Sequence, residues 1–421
     1  MLHSRFAPLS VAVILVFAVC FIPLPMAAQS SAAMPAQVAP RTPTPDRQAI
    51  QQAEQKDRQH LLDQLGIKDL RAPSSHSNPG SPVAANYDEV RANVYKNVPD
   101  PLALNDGKPV TSARMWWTRR RPQIVADFNR DVLGFVPAHT PKVAWEIEKS
   151  TDETIGGVPA VAQKLVGSVD NSTDPAIADN IHALLVTPAK ASGPVPVIVE
   201  LSFSNEFDPI WDGAVPAARP GDQEPPWEAQ VLAKGWGYAM LEPTSFQADN
   251  GAGLDAGIIG LMDKGQPRSL TDWGALRAWA WGASRLLDYL KTDKAVDGRQ
   301  VGIMGHSRFG KTALVAMAYD PRFAIAYISS SGEGGAKLYR HVYGEEISNL
   351  TELSEYHWFD GEFLKYGGPL NAGELPVDAN ELIALCAPRP VFIGAGNPTR
   401  AGDGWADPEG EFLAAAGANR V

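Results

Sequence analysis

The chain has 421 residues, 44% of them hydrophobic and 20% charged, which is enough apolar material for one large core or two modest ones. Its 37 lysines and arginines stand against 48 aspartates and glutamates, a formal net charge of -11. That balance excludes the basic footprint of a nucleic-acid partner or of a protein held on an anionic membrane.

The N-terminus has the layout of a secretory signal: Arg5, an apolar run over residues 11–24, then small residues around Ala27 and Ala28. The run is too short, and too abruptly ended by proline, for a membrane span. Residues 1–28 therefore read as a signal peptide, and the mature protein is expected to be secreted or periplasmic, with no membrane attachment after cleavage. Cleavage removes Cys20 and leaves only Cys386, so no internal disulfide can form and stability has to come from the core. Residues 29–85 read as a flexible leader, rich in Ala, Pro, Ser and Thr to about residue 48, with a short helix near 49–66.

From residue 86 to 421 strand-like and helix-like segments alternate, which predicts one layered α/β domain; a monomer is expected, though nothing in the pattern of elements fixes it. The clearest strands are expected at 182–189, 195–203, 237–243, 300–305, 323–331 and 389–396. Most are continuous apolar runs, as a sheet covered by helices on both faces requires. Residues 269–293 predict a long amphipathic helix capped by Thr271 or Asp272, whose Trp273, Trp279 and Trp281 are expected in the core.

The stretch VGIMGHSRFGKTALVAMA (301–318) passes from an apolar strand through Ser307 into an apolar helix with almost no loop. That is the context of a nucleophile elbow, in which small neighbours let the chain turn sharply and lift a hydroxyl above the sheet edge. Gly305 and Gly310 bracket the serine, but Phe309 takes the place of the last glycine in the usual G-x-S-x-G spacing. At such a corner the Arg308 backbone N–H and the helix N-terminus face a developing oxyanion. A second donor is expected from the loop near Phe203 to Asn205. Arg308 and Lys311 are cations at a helix N-terminus, an unfavourable placement unless negative charge or a dense set of oxygens is bound there. The run 305–312 also matches the spacing of a phosphate-binding loop. It follows a late strand of a sheet already begun, however, and His306, Arg308 and Phe309 would crowd the phosphates.

GHSRFGKTAL (305–314) resembles the nucleophile motif of the bacterial-type glucuronoyl esterases, carbohydrate esterase family 15, Gly-Cys/His-Ser-Arg-x-Gly-Lys. Segments 100–128, 329–340, 355–366, 375–396 and 402–415 support the resemblance, which covers about residues 85 to 421. It implies an α/β-hydrolase fold, a three-layer sandwich around a mostly parallel sheet. It also implies cleavage of the ester between 4-O-methyl-glucuronoyl groups of xylan and lignin alcohols, with no cofactor. Carried onto this sequence, Ser307 would be the nucleophile and Arg308 the oxyanion-side cation, with Lys311, Glu345 and Trp405 holding the uronoyl ring.

The resemblance allows two places for the catalytic acid. One is occupied here by Ser330; the other is Asp403, which is the expected acid, with Glu333 in reserve and Asp407 read as a helix cap. The chain order Ser, acid, His requires a histidine after Asp403, and the last eighteen residues contain none. The chain is therefore expected to lack its final strand, histidine loop and helix, with impaired activity and an exposed sheet edge. His306 is expected to pack beneath the elbow, and His341 and His357 to lie in the cleft wall. Two other readings remain: a different carbohydrate esterase of the acetyl-xylan type, and a non-catalytic carbohydrate-binding protein. No metal is expected, since no H-E-x-x-H or C-x-x-C spacing occurs.

Overall fold

The computed structural model describes residues 47–177, 179–217, 223–397 and 404–421. The expected signal peptide and most of the low-complexity leader lie outside the described residues. Among the described residues one eight-stranded sheet runs in the order β1-β2-β3-β5-β4-β6-β7-β8. The strands are β1 Val143–Ile155, β2 Val158–Val169, β3 Asn180–Pro188, β4 Val195–Leu201, β5 Gly237–Glu242, β6 Val296–His306, β7 Ala326–Ser329 and β8 Val391–Gly394. The first three and β5 pair antiparallel; β5, β4, β6, β7 and β8 are parallel to one another.

Strand β4 explains the sheet's position. Val195, Val197, Val199 and Leu201 alternate into the main core, while Ile198 and Glu200 face the other side. The core face is covered by α4 (Ala275–Leu290) and α5 (Arg308–Tyr319), and the opposite face of β2, β3 and β5 by α2 (Ser204–Trp211) and α3 (Trp227–Ala233). Helices on both faces of a mostly parallel sheet are the three layers expected of an α/β-hydrolase.

The strands foreseen near residues 182, 195, 237, 300, 323 and 389 all form. The β1–β2 hairpin was missed because β1 is largely exposed and polar, with no apolar run to read. Its signal was Gly156-Gly157, both at positive φ (57° and 82°) in the two-residue turn. Helix α4 starts later than expected and is capped by Gly274, not Thr271 or Asp272. Residue 272 instead forms a β-bridge with Phe135, and its carboxylate accepts from the Ser269 N–H at 2.6 Å. Trp273 and Trp279 are wholly buried and Trp281 nearly so, as core residues should be.

The short helix expected near residues 49–66 forms, but the described part of the expected flexible leader is docked on the domain. Helix α1 (Arg47–Leu65) buries Leu61 and Leu62 in the main core, and Arg58 donates to the Thr351 carbonyl at 2.7 Å. The described residues from Arg47 onward belong to the same compact unit as the sheet. Its apolar i, i+1 pair late in an otherwise polar helix needs only a narrow contact, too little for a periodicity argument to detect.

At the other end of the sheet β8 is the edge. On the face away from the core, Ile325, Tyr327 and Phe392 are 41%, 41% and 64% exposed, and the rings of Tyr327 and Phe392 meet at 5.4 Å. This is an apolar patch beside an unpaired strand among the described residues.

Candidate active site

Ser307 stands at the junction of β6 and α5 with φ 56° and ψ -127°, a conformation costly for any residue with a Cβ. Its N–H donates to the Ser329 carbonyl at 2.9 Å, and its own carbonyl accepts from the Lys311 N–H at 3.0 Å. The corner closes because residue 305 has no side chain: a Cβ there would lie 2.2 Å from the Phe309 carbonyl oxygen. The shifted glycine is explained in the same way. Phe309 is needed in the core, 4.7 Å from the Phe203 ring and 5.3 Å from Trp279, while a Cβ at position 310 would lie 2.8 Å from the Ser329 carbonyl.

The phosphate-loop reading ends on Lys311. Its ammonium is 1% exposed and donates to the Ser331 carbonyl at 2.7 Å and to Glu345 Oε2 at 2.9 Å, so it is not aimed into a phosphate nest. The Thr312 hydroxyl donates back to the Arg308 carbonyl at 3.0 Å. Glu345 also accepts from the Glu333 N–H at 2.9 Å, and its own N–H donates to the Trp405 carbonyl at 2.9 Å. Lys311 Nζ lies 5.8 Å from the Trp405 ring centroid and 5.7 Å from that of Trp358. Lys311, Glu345 and Trp405, far apart in sequence, are thus one cluster one helical turn beyond Ser307.

Arg308 is held by a residue the sequence did not suggest. Asp249, on the loop after β5, pairs with the Arg308 guanidinium through Oδ2 and accepts from His357 Nε2 at 3.0 Å and Trp358 Nε1 at 2.8 Å through Oδ1. Burial opposes its ionisation, but the His357 hydrogen bond, the His357 and Arg308 charges and the Trp358 indole outweigh that and hold the carboxyl down at about 2. The guanidinium also stacks 5.7 Å from Phe203 and 5.2 Å from Trp358. Phe203 caps α2, so the loop expected to supply a second oxyanion donor does arrive beside Arg308. Asp249 lies in SFQADNGAG, which carries no motif.

Glu355 was missed as well. Burial first, then the charge of Glu345, pushes its carboxyl up to about 8 despite the opposing pull of Lys311 and Arg308. Glu411 accepts from the Ser331 and Gly332 N–H groups at 3.1 and 3.0 Å, and so holds the loop to which Lys311 is bonded.

One histidine, His306, is placed differently from expectation. His306 is exposed and not packed beneath the elbow: β6 ends at the sheet's rim, and its Nδ1 meets the Ser329 hydroxyl at 3.1 Å. His357 is spent on Asp249 and His341 on Asp407 at 2.7 Å. None of the described histidines hydrogen-bonds the Ser307 hydroxyl. Asp403 lies outside the described residues. Glu333 is buried and paired with Lys337, and Asp407 caps α6 (Pro408–Ala418) by accepting from the Gly410 N–H at 2.9 Å.

A family model described as "Glucuronyl esterase, fungi" matches residues 268–421, which include Ser307, Lys311, Glu345 and Trp405. Over 368 residues the chain is 33% identical to carbohydrate esterase MZ0003 from an unknown prokaryotic organism, covering 81% of each. The chain belongs to the glucuronoyl esterases of carbohydrate esterase family 15. It is also 28% identical to 4-O-methyl-glucuronoyl methylesterase 1 of Wolfiporia cocos, over 71% of this chain and 66% of that protein. The solved glucuronoyl esterase of this family from Teredinibacter turnerae T7901 superposes with a TM-score of 0.79 at 42% identity, over 87% of both chains. The α/β-hydrolase fold of this carboxylic ester hydrolase follows from the sheet described above and from that likeness.

Proposed function

We propose that this glucuronoyl esterase hydrolyses the ester between 4-O-methyl-glucuronoyl groups of xylan and lignin alcohols, with Ser307 as nucleophile. The observation that carries the reading is the strained corner at Ser307, one turn from the buried Lys311–Glu345 pair and the partly buried Trp405 beside it. Ser307 Oγ attacks the ester carbonyl, and the carbonyl oxygen becomes an oxyanion beside the Arg308 N–H and guanidinium. The C–OR bond breaks, the alcohol leaves with a proton, and water then releases the uronic acid. The neutral ester carries no charge for Arg308 to meet, whereas the tetrahedral intermediate does, so the cation acts where rate is gained. Lys311, Glu345 and Trp405 bind the hydroxyl-bearing uronoyl ring, and Asp403 serves as the acid.

The proposal includes slow turnover of the chain as it stands, because His306, His341 and His357 are engaged away from Ser307. Added imidazole should therefore accelerate hydrolysis of a benzyl glucuronate ester. A rate that imidazole leaves untouched would mean that Ser307 already has its base.

A fluorophosphonate probe tests the nucleophile. It should label the wild-type chain and not Ser307→Ala; absence of label on wild type favours a carbohydrate-binding protein. Lys311→Ala should abolish hydrolysis of the uronate ester. Uronate activity that survives that change while acetyl esters are also cleaved would point to an acetyl-xylan type of esterase.

A further inference from the structure

Glu89, His341 and Asp407 converge from three distant segments, and each offers a ligand atom within 4.8 Å of the others. His341 is 99% buried, and its Nδ1 sits 2.7 Å from Asp407 Oδ2, itself wholly buried. Its other nitrogen, Nε2, is 3.3 Å from Glu89 Oε2 yet makes no hydrogen bond. The imidazole is thus fixed by a carboxylate on one side and presents an unpartnered buried nitrogen to a half-exposed carboxylate on the other.

We propose that this cluster is a partly hydrated divalent-metal site, taken by zinc or a similar borderline cation, with His341 Nε2 and Glu89 as ligands and Asp407 orienting the imidazole. With Nδ1–H donating to Asp407, the Nε2 lone pair is free to ligate, which is the carboxylate–histidine–metal arrangement. Two ligands about 2.0–2.1 Å from one tetrahedral zinc stand about 3.3 Å apart, the separation found between Nε2 and Glu89 Oε2. An imidazole donor favours zinc over calcium or magnesium, which prefer all-oxygen shells. The half-exposed Glu89 leaves water to complete the coordination.

The site would pin three pieces of chain that frame the sugar-binding cluster. The segment carrying Glu89 already straps the loop 341–345: Asn86 Nδ2 donates to the Val342 carbonyl at 2.7 Å, and the Gly344 N–H to the Asn86 carbonyl at 2.9 Å. That loop carries Glu345, and the turn before Asp407 carries Trp405. Sequence spacing could not reveal the site, since Glu89, His341 and Asp407 come from different elements.

The experiment uses the tag-free full chain, freed of metal with EDTA and titrated with zinc chloride by calorimetry, with thermal unfolding followed in parallel. Wild type should bind one zinc saturably, with a melting temperature that rises with zinc concentration. Glu89→Gln, a change at the exposed end that leaves the fold intact, should weaken binding at least about 10-fold and remove the thermal shift. Cobalt(II) should give intense visible bands of a tetrahedral N/O site in wild type and lose them in Glu89→Gln. No saturable binding, or equal zinc binding and equal cobalt bands in Glu89→Gln, would overturn the proposal and leave an Asp–His–Glu hydrogen-bond relay.

Discussion

Asp249 is the residue through which the arrangement around Arg308 can be tested most directly. Replacing it by Asn keeps the shape but removes the charge that the guanidinium faces. The new amide also cannot accept from His357, Trp358 and Arg308 without turning its NH2 toward one of these donors. The Asp249 carboxyl sits at about 2 against an ordinary 3.8, nearly two pH units, which converts to about 2 kcal/mol at 1.36 kcal/mol per unit. The folded-state value is the depressed one, so this stability is present above pH ~4 and is lost as pH falls toward ~2. Asp249→Asn should therefore lose about 2 kcal/mol in urea unfolding at pH 7 and almost nothing at pH 2.

If Asp249 acts by holding Arg308 for the oxyanion, kcat for a benzyl glucuronate ester should drop about 10- to 100-fold with a smaller change in KM. Arg308→Ala and Asp249→Asn should then be non-additive in kcat, since the second change finds no guanidinium left to position. Additive losses in the double mutant, or a stability difference that persists undiminished at pH 2, would refute the reasoning.

Lys311→Met leaves Glu345 buried without its cation and should destabilise by about 3–5 kcal/mol in denaturant titration, more than any exposed charge change. Gly305→Ala puts a Cβ 2.2 Å from the Phe309 carbonyl and should both lower the melting temperature and abolish fluorophosphonate labelling, because the corner cannot close. Glu355, raised to about 8, is neutral at pH 7 and costs stability as pH climbs from about 4.5 through 8. Urea midpoints of Glu355→Gln should therefore gain on wild type over that interval and run parallel to it above pH 9.

Much of the fold was legible because it is written in local pattern. Apolar runs such as VPVIVEL mark strands buried on both sides, and strand, serine and helix follow one another within 301–318, so the elbow could be read without coordinates. The β1–β2 hairpin escaped because an exposed antiparallel pair needs few apolar residues; helix α1 was foreseen near 49–66, but not its docking, for which two buried leucines suffice. The resemblance pointed to Lys311, Glu345 and Trp405 together. That Lys311 is an inward-facing, almost wholly buried partner of Glu345, and not a solvated neighbour of Ser307, is a fact of packing.

By itself the sequence determined the layered α/β class, the sharp turn at residue 307 and the family, since these depend on residues adjacent in the chain or on a contiguous motif. Tertiary structure alone decided which side chain holds Arg308, which carboxyl is pushed toward neutrality and where each imidazole is spent. Those outcomes depend on charges and burial brought together across tens to hundreds of residues, such as Asp249 with His357 or His341 with Asp407. Electrostatic energy falls with distance in space, and separation along the chain says almost nothing about that distance.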